Sequence, residues 1–202
     1  MDQITSTSNP NIKHVRRLLV DRRYRQKQQA YVVEGSRWLS ELKDYPSCQK
    51  QILVTQSWLD STDNQRILNS LDRGVTLVSD KVMTHISKAI TPPGVLAELR
   101  FSECSLPPTP TLLLILDGIT NPGNLGSIIR SASAAGVDGI LLAPGCVDVY
   151  NPKVVQGTMG AILRLPLITA SWQEIRRLTD GMEIWLATME AVLPYSDVKW
   201  QK

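Results

Sequence analysis

Only three cysteines stand in the 202-residue sequence, Cys48, Cys104 and Cys146, and no two of them have Cys-x-x-Cys spacing. An odd, scattered set excludes a disulfide framework and a structural zinc site, and no metal site is expected. Histidine is scarcer still: His14 and His85 are isolated, and neither reads as a ligand or a general base. No apolar run approaches the length of a membrane span, and the polar start MDQITSTSNP has no secretory apolar core. A cytoplasmic protein with no membrane partner is expected. Neither G-x-G-x-x-G nor the phosphate-loop pattern with its lysine occurs, which disfavours an unrelated nucleotide-binding protein. Internal repeats and low-complexity tracts are also missing.

What is present begins with an uneven charge. The net charge is +3, but residues 1–40 alone carry +5, from Lys13, Arg16, Arg17, Arg22, Arg23, Arg25, Lys27 and Arg37 against Asp2, Asp21 and Glu34, and the remainder carries −2. A cationic end on an otherwise neutral chain points to a polyanion, RNA first; the alternative is a solvated helix face. A hydrophobic fraction of 43% supports a real core.

The proline-rich run SECSLPPTP, residues 102–110, divides the chain into 1–101, a linker, and 111–202. Before it, β-rich runs at 31–33, 52–54, 75–78 and 95–99 alternate with helical stretches at 36–43, 64–71 and 80–86. After it, strands are expected at 112–116, 140–142 and 184–187, with helices near 125–135, 152–159 and 171–178. The fold class is α/β twice over, the second unit built on a parallel sheet.

Residues 112–142, LLLILDGITNPGNLGSIIRSASAAGVDGILL, carry the chemistry. The unbroken apolar run 112–116 predicts a strand covered on both faces. Asp117 ends it, Gly118, Asn121, Pro122 and Gly123 supply a tight turn, and Asn124 is expected to cap a helix. On that helix Leu125, Ile128, Ile129, Ala132 and Gly136 form an apolar stripe, while Gly126, Arg130 and Ser133 share a neighbouring face. Helical side chains lean toward the N-terminus, so the Arg130 guanidinium is expected to reach the loop, with Gly126 leaving the space open. An anion there would meet Arg130 and free backbone N–H groups. The plainer alternative is a nucleotide-fold loop with a helix-stabilising arginine.

Asn124, Gly126 and Arg130, spaced N-x-G-x-x-x-R after a strand ending in Asp-Gly, resemble the first motif of SpoU/TrmH-type RNA 2′-O-ribose methyltransferases. NPKVVQGTMGAILRLP at 151–166 resembles the next segment of that family. The likeness extends to ITSTSNPNIK (4–13), YVVEGSR (31–37) and VSDKVMTHISKAITPPGVL (78–96), which look like its N-terminal, ribosomal-protein-like RNA-binding domain. The resemblance implies a SPOUT-type methyltransferase domain, S-adenosylmethionine as co-substrate, ribosomal or transfer RNA as substrate, and a homodimer. It assigns Arg130 to the phosphate beside the target and the developing alkoxide, Asn124 to the loop or ribose, and Thr188 and Met189 to a loop beside the cofactor's adenosine. Arg16, Arg17, Arg22, Arg23 and Arg25 would meet phosphates, and the turn at Glu34 and Gly35 would shape the surface for an RNA loop. Glu34 capping the following helix is the alternative.

Two later motifs of the family, which thread its trefoil knot and form most of its S-adenosylmethionine pocket and much of its dimer interface, are not found before Lys202. The expectation is an incomplete donor pocket, impaired activity and an uncovered apolar face near 184–187. A non-catalytic RNA-binding remnant is the alternative to the enzyme.

Overall fold

The computed structural model describes residues 3–71 and 74–198. In chain order the main elements are α1 (Pro10–Val20), α2 (Arg22–Gln28), β1 (Ala30–Glu34), α3 (Ser36–Leu42), β2 (Gln49–Val54), α4 (Gln56–Leu59), α5 (Thr62–Asn69), β3 (Val75–Leu77), α6 (Asp80–Ile86) and β4 (Val95–Arg100). After residues 101–112 come β5 (Leu113–Leu116), α7 (Pro122–Ala134), β6 (Gly139–Leu142), α8 (Pro152–Thr158), β7 (Leu167–Thr169) and α9 (Trp172–Leu178). Three helices start on one chemistry: Asn9, Asn121 and Asn151 are N-caps whose side chains accept first-turn amides, each followed by proline. The cap oxygen satisfies an orphan donor, and proline has no N–H there to lose.

The first sheet has the order β1-β4-β2-β3, with β4 antiparallel to both neighbours and β2 parallel to β3. Alternation along its strands splits its residues between two faces. Ala30, Val32, Leu53 and Leu96 pack with Ile12, Val15 and Leu18 of α1 and Val82, Met83 and Ile86 of α6. Tyr31, Val33, Ile52, Val54, Ala97 and Leu99 look the other way, into a core that also holds Leu116, Leu125, Ile129, Ile140, Leu142 and Val154. One hydrophobic cluster therefore runs through both sheets. The rings of Phe101 and Tyr150 stack across this junction at 3.6 Å and 7°.

The second sheet, β5-β6-β7, is wholly parallel. Both faces of β5 are packed, Leu114 and Leu116 on the core shared with the first sheet and Leu113 and Ile115 on the cluster of Leu141 and Ile175; in sheet order it is an edge strand, its first three residues half-buried and Leu112 45% exposed. The central strand β6 is buried throughout, Ile140 and Leu142 on one face and Leu141 on the other. The expected strand at 184–187 is absent. Those residues are exposed and form no strand, and the place beside β6 belongs to β7. Residues 102–110 are no free spacer, since Leu106 packs with Leu141, Ala143, Ala170 and Ile175 on the face that α9 covers. Side-chain volume at Gly139 is excluded there, because a Cβ would collide with Leu106.

Glu98, on β4, is 1% exposed, yet its carboxylate is fully used. It accepts from His14 Nε2 at 3.0 Å, Lys50 Nζ at 2.6 Å and Gln51 Nε2 at 2.6 Å. Burial alone would raise its pKa; donation from Lys50, His14 and Gln51 outweighs burial and holds it below the ordinary value. A depressed carboxylate stabilises the fold above its unfolded pKa of about 4.3 and loses that contribution as pH falls through the folded value. Urea unfolding of Glu98→Gln should therefore show lower stability than the parent at pH 7 and a flatter loss below pH 4. Parallel acid limbs in the two proteins would contradict the assignment.

No helix among the described residues is long and apolar enough to cross a membrane.

Candidate active site at the edge of the parallel sheet

In a parallel sheet the loops after the strands gather at one edge, where ligands of open α/β folds bind. Here those loops are 117–121 after β5 and 143–151 after β6. They are tied together: Val147 N donates to Ile119 O at 2.9 Å and the Cys146 thiol to Leu116 O at 3.3 Å. Gly118 turns the chain out of β5 with a φ of +60°, a conformation that favours glycine.

Helix α7 leaves this edge, but its cap is Asn121, not Asn124 as expected. Asn121 Oδ1 accepts from Gly123 N at 2.8 Å and Asn124 N at 3.2 Å. Proline fits the first helical position, and that sets the cap one residue before Pro122. Asn124 is then the third helical residue, exposed, and its side-chain amide has no partner among the described residues. The correction frees the amide for a ligand.

Gly126 does not leave space for Arg130. It is buried against α8, where a Cβ would lie 2.8 Å from Val154 O and 2.9 Å from Gly157 Cα. Its role is close helix packing, matched by Gly157 on the facing helix. Arg130 is exposed and makes no hydrogen bond or ion pair among the described residues. It lies about 12 Å of helix axis beyond Pro122, and about 9 Å along and 120° around the helix from Asn124. The two side chains are not brought together directly. A nucleotide, with its phosphate and ribose at separate positions, is the kind of ligand that would span them.

The cationic cluster divides. Arg22 and Arg23 are exposed without an ion pair among the described residues, and Arg16 is half-buried, also unpaired. Arg17 is exposed, 3.2 Å from Asp21 Oδ2, with its guanidinium 4.3 Å over the Tyr24 ring. Arg25 is corrected: it is buried and ion-paired with Asp148 at 2.6 Å, out of reach of any phosphate. Seven-residue α2 has two faces, and Arg25 is on the inner one. Asp148 lies in the loop after β6, so α2 stands against the same edge as residues 117–121.

Glu34 is also corrected, for it neither caps α3 nor faces solvent freely. Gly35 is the N-cap, and Glu34 accepts from Ser87 Oγ at 2.6 Å and Lys88 N at 2.9 Å, fastening the loop after α6. Thr188 and Met189 follow no strand and sit in an exposed turn, Met189 at 102% exposure. Sequence reasoning placed Asn121 in the turn and not at the cap, and passed over Asp148. For Asn121 the signal was available in the Asn-Pro pairs that begin three helices.

Residues 111–202 match the profile of the SpoU rRNA Methylase family, and residues 9–97 match that of the MRM3-like substrate binding domain. The chain is 26% identical to 23S rRNA (guanosine(2553)-2′-O)-methyltransferase RlmP of Bacillus subtilis (strain 168), covering 98% of this chain and 78% of that one. It is 30% identical to the mitochondrial rRNA methyltransferase 3 of Homo sapiens over 81% of this chain, and spans 41% of the human protein. A solved RNA 2′-O ribose methyltransferase superposes with a TM-score of 0.70 at 33% identity, covering 89% of this chain and 69% of that one. The AdoMet-bound SpoU methyltransferase AviRb from Streptomyces viridochromogenes shares the fold, with a TM-score of 0.72 at 24% identity.

Proposed function

Because the chain belongs to the SpoU family of RNA 2′-O-ribose methyltransferases, we propose that it methylates a ribose 2′-hydroxyl in ribosomal or transfer RNA, with Arg130 and Asn124 acting on the acceptor nucleotide. The observation that carries this reading is the free, exposed guanidinium of Arg130 on the helix that leaves the ligand edge of the sheet. Its place on that helix, and not the lack of a partner, separates it from the exposed arginines of α2.

S-adenosylmethionine, the family's co-substrate, supplies an electrophilic methyl group when bound. Loops 117–121 and 143–151 suit it as edge loops of an open sheet, whereas Thr188 and Met189 sit in an exposed turn. The chain's own chemistry therefore lies on the acceptor side. The Arg130 guanidinium can donate two parallel hydrogen bonds to a phosphate or one to an oxygen losing its proton. Charge developing on the 2′-oxygen is stabilised there before transfer is complete, which lowers the barrier and not merely the binding energy. Asn124, with its amide free, would hold the ribose in line.

RNA reaches the site over α1 and α2. Arg16, Arg17, Arg22 and Arg23 supply phosphate contacts that position without reading sequence. Replacing Arg16, Arg22 and Arg23 together with Ala should weaken binding to unrelated RNAs alike and flatten the plot of log K against log salt by about two units, at about 0.7 per single-strand phosphate contact. An unchanged slope in a filter-binding titration would reduce the cluster to a solvated face. The homodimer implied by the resemblance belongs to this proposal, supported by the exposed edge strand β5.

The direct test incubates the protein with RNA and methyl-labelled S-adenosylmethionine and maps positions that resist alkaline cleavage, since a methylated 2′-oxygen cannot attack the neighbouring phosphate. RNA binding without label transfer would favour the second reading, a non-catalytic RNA-binding protein, which the exposure of Thr188 and Met189 supports.

A further inference from the structure

We propose that the buried pair Arg25 and Asp148 is a positioning device for methyl transfer, setting where the cationic helix α2 stands relative to residues 117–124. A ribose presented by the one is thereby aligned on Arg130 and Asn124 at the other. The inference rests on the site assignment of the preceding section.

Arg25 and Asp148 are 4% and 6% exposed. Arg25 Nε and Nη2 donate to Asp148 Oδ2 at 3.0 and 2.6 Å, and Nη1 donates to Leu18 O, near the end of α1, at 2.7 Å. A planar fork held at two places fixes direction as well as distance. Among the described residues, Arg25 makes the only hydrogen bonds from α2 to the chain beyond residue 110. The same short helix carries Arg22 and Arg23 on its outer side, so RNA pulling on α2 pulls on this pair.

On the other side, Asp148 sits where two routes to the site diverge. Its Oδ1 accepts from Tyr150 N at 3.1 Å and its backbone oxygen from Asn151 N at 2.9 Å, folding the turn that starts α8. Helix α8 is the one against which Gly126 of α7 rests. One residue earlier, Val147 N holds Ile119 O at 2.9 Å, in the loop that leads to the Asn121 cap. Any shift of Asp148 is thus passed to α7 from below and to its N-terminus from the front.

Energy alone does not explain such a pair, because an apolar pair of similar volume commonly stabilises a fold as well or better. Direction does. The test therefore compares the parent protein with Arg25→Met/Asp148→Leu and with Arg25→Lys, measuring kcat, KM for RNA and amide hydrogen exchange. The double variant should fold, bind RNA within about threefold of the parent, and lose about tenfold or more in kcat, the scale of a sub-ångström to ångström misplacement. Exchange at the Val147, Gly123 and Asn124 amides should quicken while β1 and β4 stay unchanged. Arg25→Lys, keeping charge without the fork, should fall between. A double variant with parental kcat and unchanged Val147 exchange would overturn the proposal, as would a raised KM at constant kcat. If the parent transfers methyl to no RNA, the proposed function fails; local exchange changes would still uphold the coupling of α2 to the site loop, and a uniform change would overturn it.

Discussion

Arg130→Ala is expected to lower kcat for methyl transfer by about 10²–10³-fold, the usual loss when a preorganised donor to developing charge is removed. RNA affinity should change little, because the phosphate contacts on α1 and α2 are untouched, and S-adenosylmethionine affinity should not change. Stability should stay within about 0.5 kcal/mol of the parent, as for other exposed side chains without partners. That combination is diagnostic, since a loss confined to kcat marks an interaction made only in the transition state. Arg130→Lys keeps the charge and loses the fork, and should recover only part of the rate. Single-turnover assays at saturating RNA give the answer; parental rates in Arg130→Ala would remove the residue from the site.

Arg25→Met alone should be the most destabilising single change, at about 3–5 kcal/mol, because it strands the Asp148 carboxylate in a buried setting. For a chain of this size, a Tm fall of about 10 °C follows, at about 2–4 °C per kcal/mol. Adding Asp148→Leu should restore much of it by removing the stranded charge. Thermal unfolding of the two single variants and the double closes the cycle. Additive losses would mean that the 2.6 Å contact is not an energetic pair.

The strands of the first unit and helix α6 were legible because short apolar runs stand between clear turn residues, and β6 because its run is unbroken. Misreadings came where neighbours decide. The apolar run at 112–116 told that both faces of β5 are packed but not its place in the sheet, which is an edge. Residues 184–187 have strand propensity but form no strand, while Leu167–Thr169, too short to stand out after Pro166, won the place beside β6. At the proposed site, spacing to Gly126 and Asn124 singled out Arg130, and the structure places it exposed on α7, whereas the role of Gly126 was inverted: periodicity tells which residues share a face but not what packs on it. Arg25 could not be separated from Arg22 and Arg23 by composition, because its partner lies 123 positions away.

The single core shared by both sheets limits how this chain can be recombined. Exchanging residues 1–101 for the matching part of another protein at the proline-rich segment looks like a clean modular cut, but it would part Tyr31 and Phe101 from Tyr150 and Arg25 from Asp148. A chimera that keeps this packing will have to carry the 148–150 turn along with the N-terminal half, so that the unit to be exchanged includes three residues from beyond the proline-rich segment.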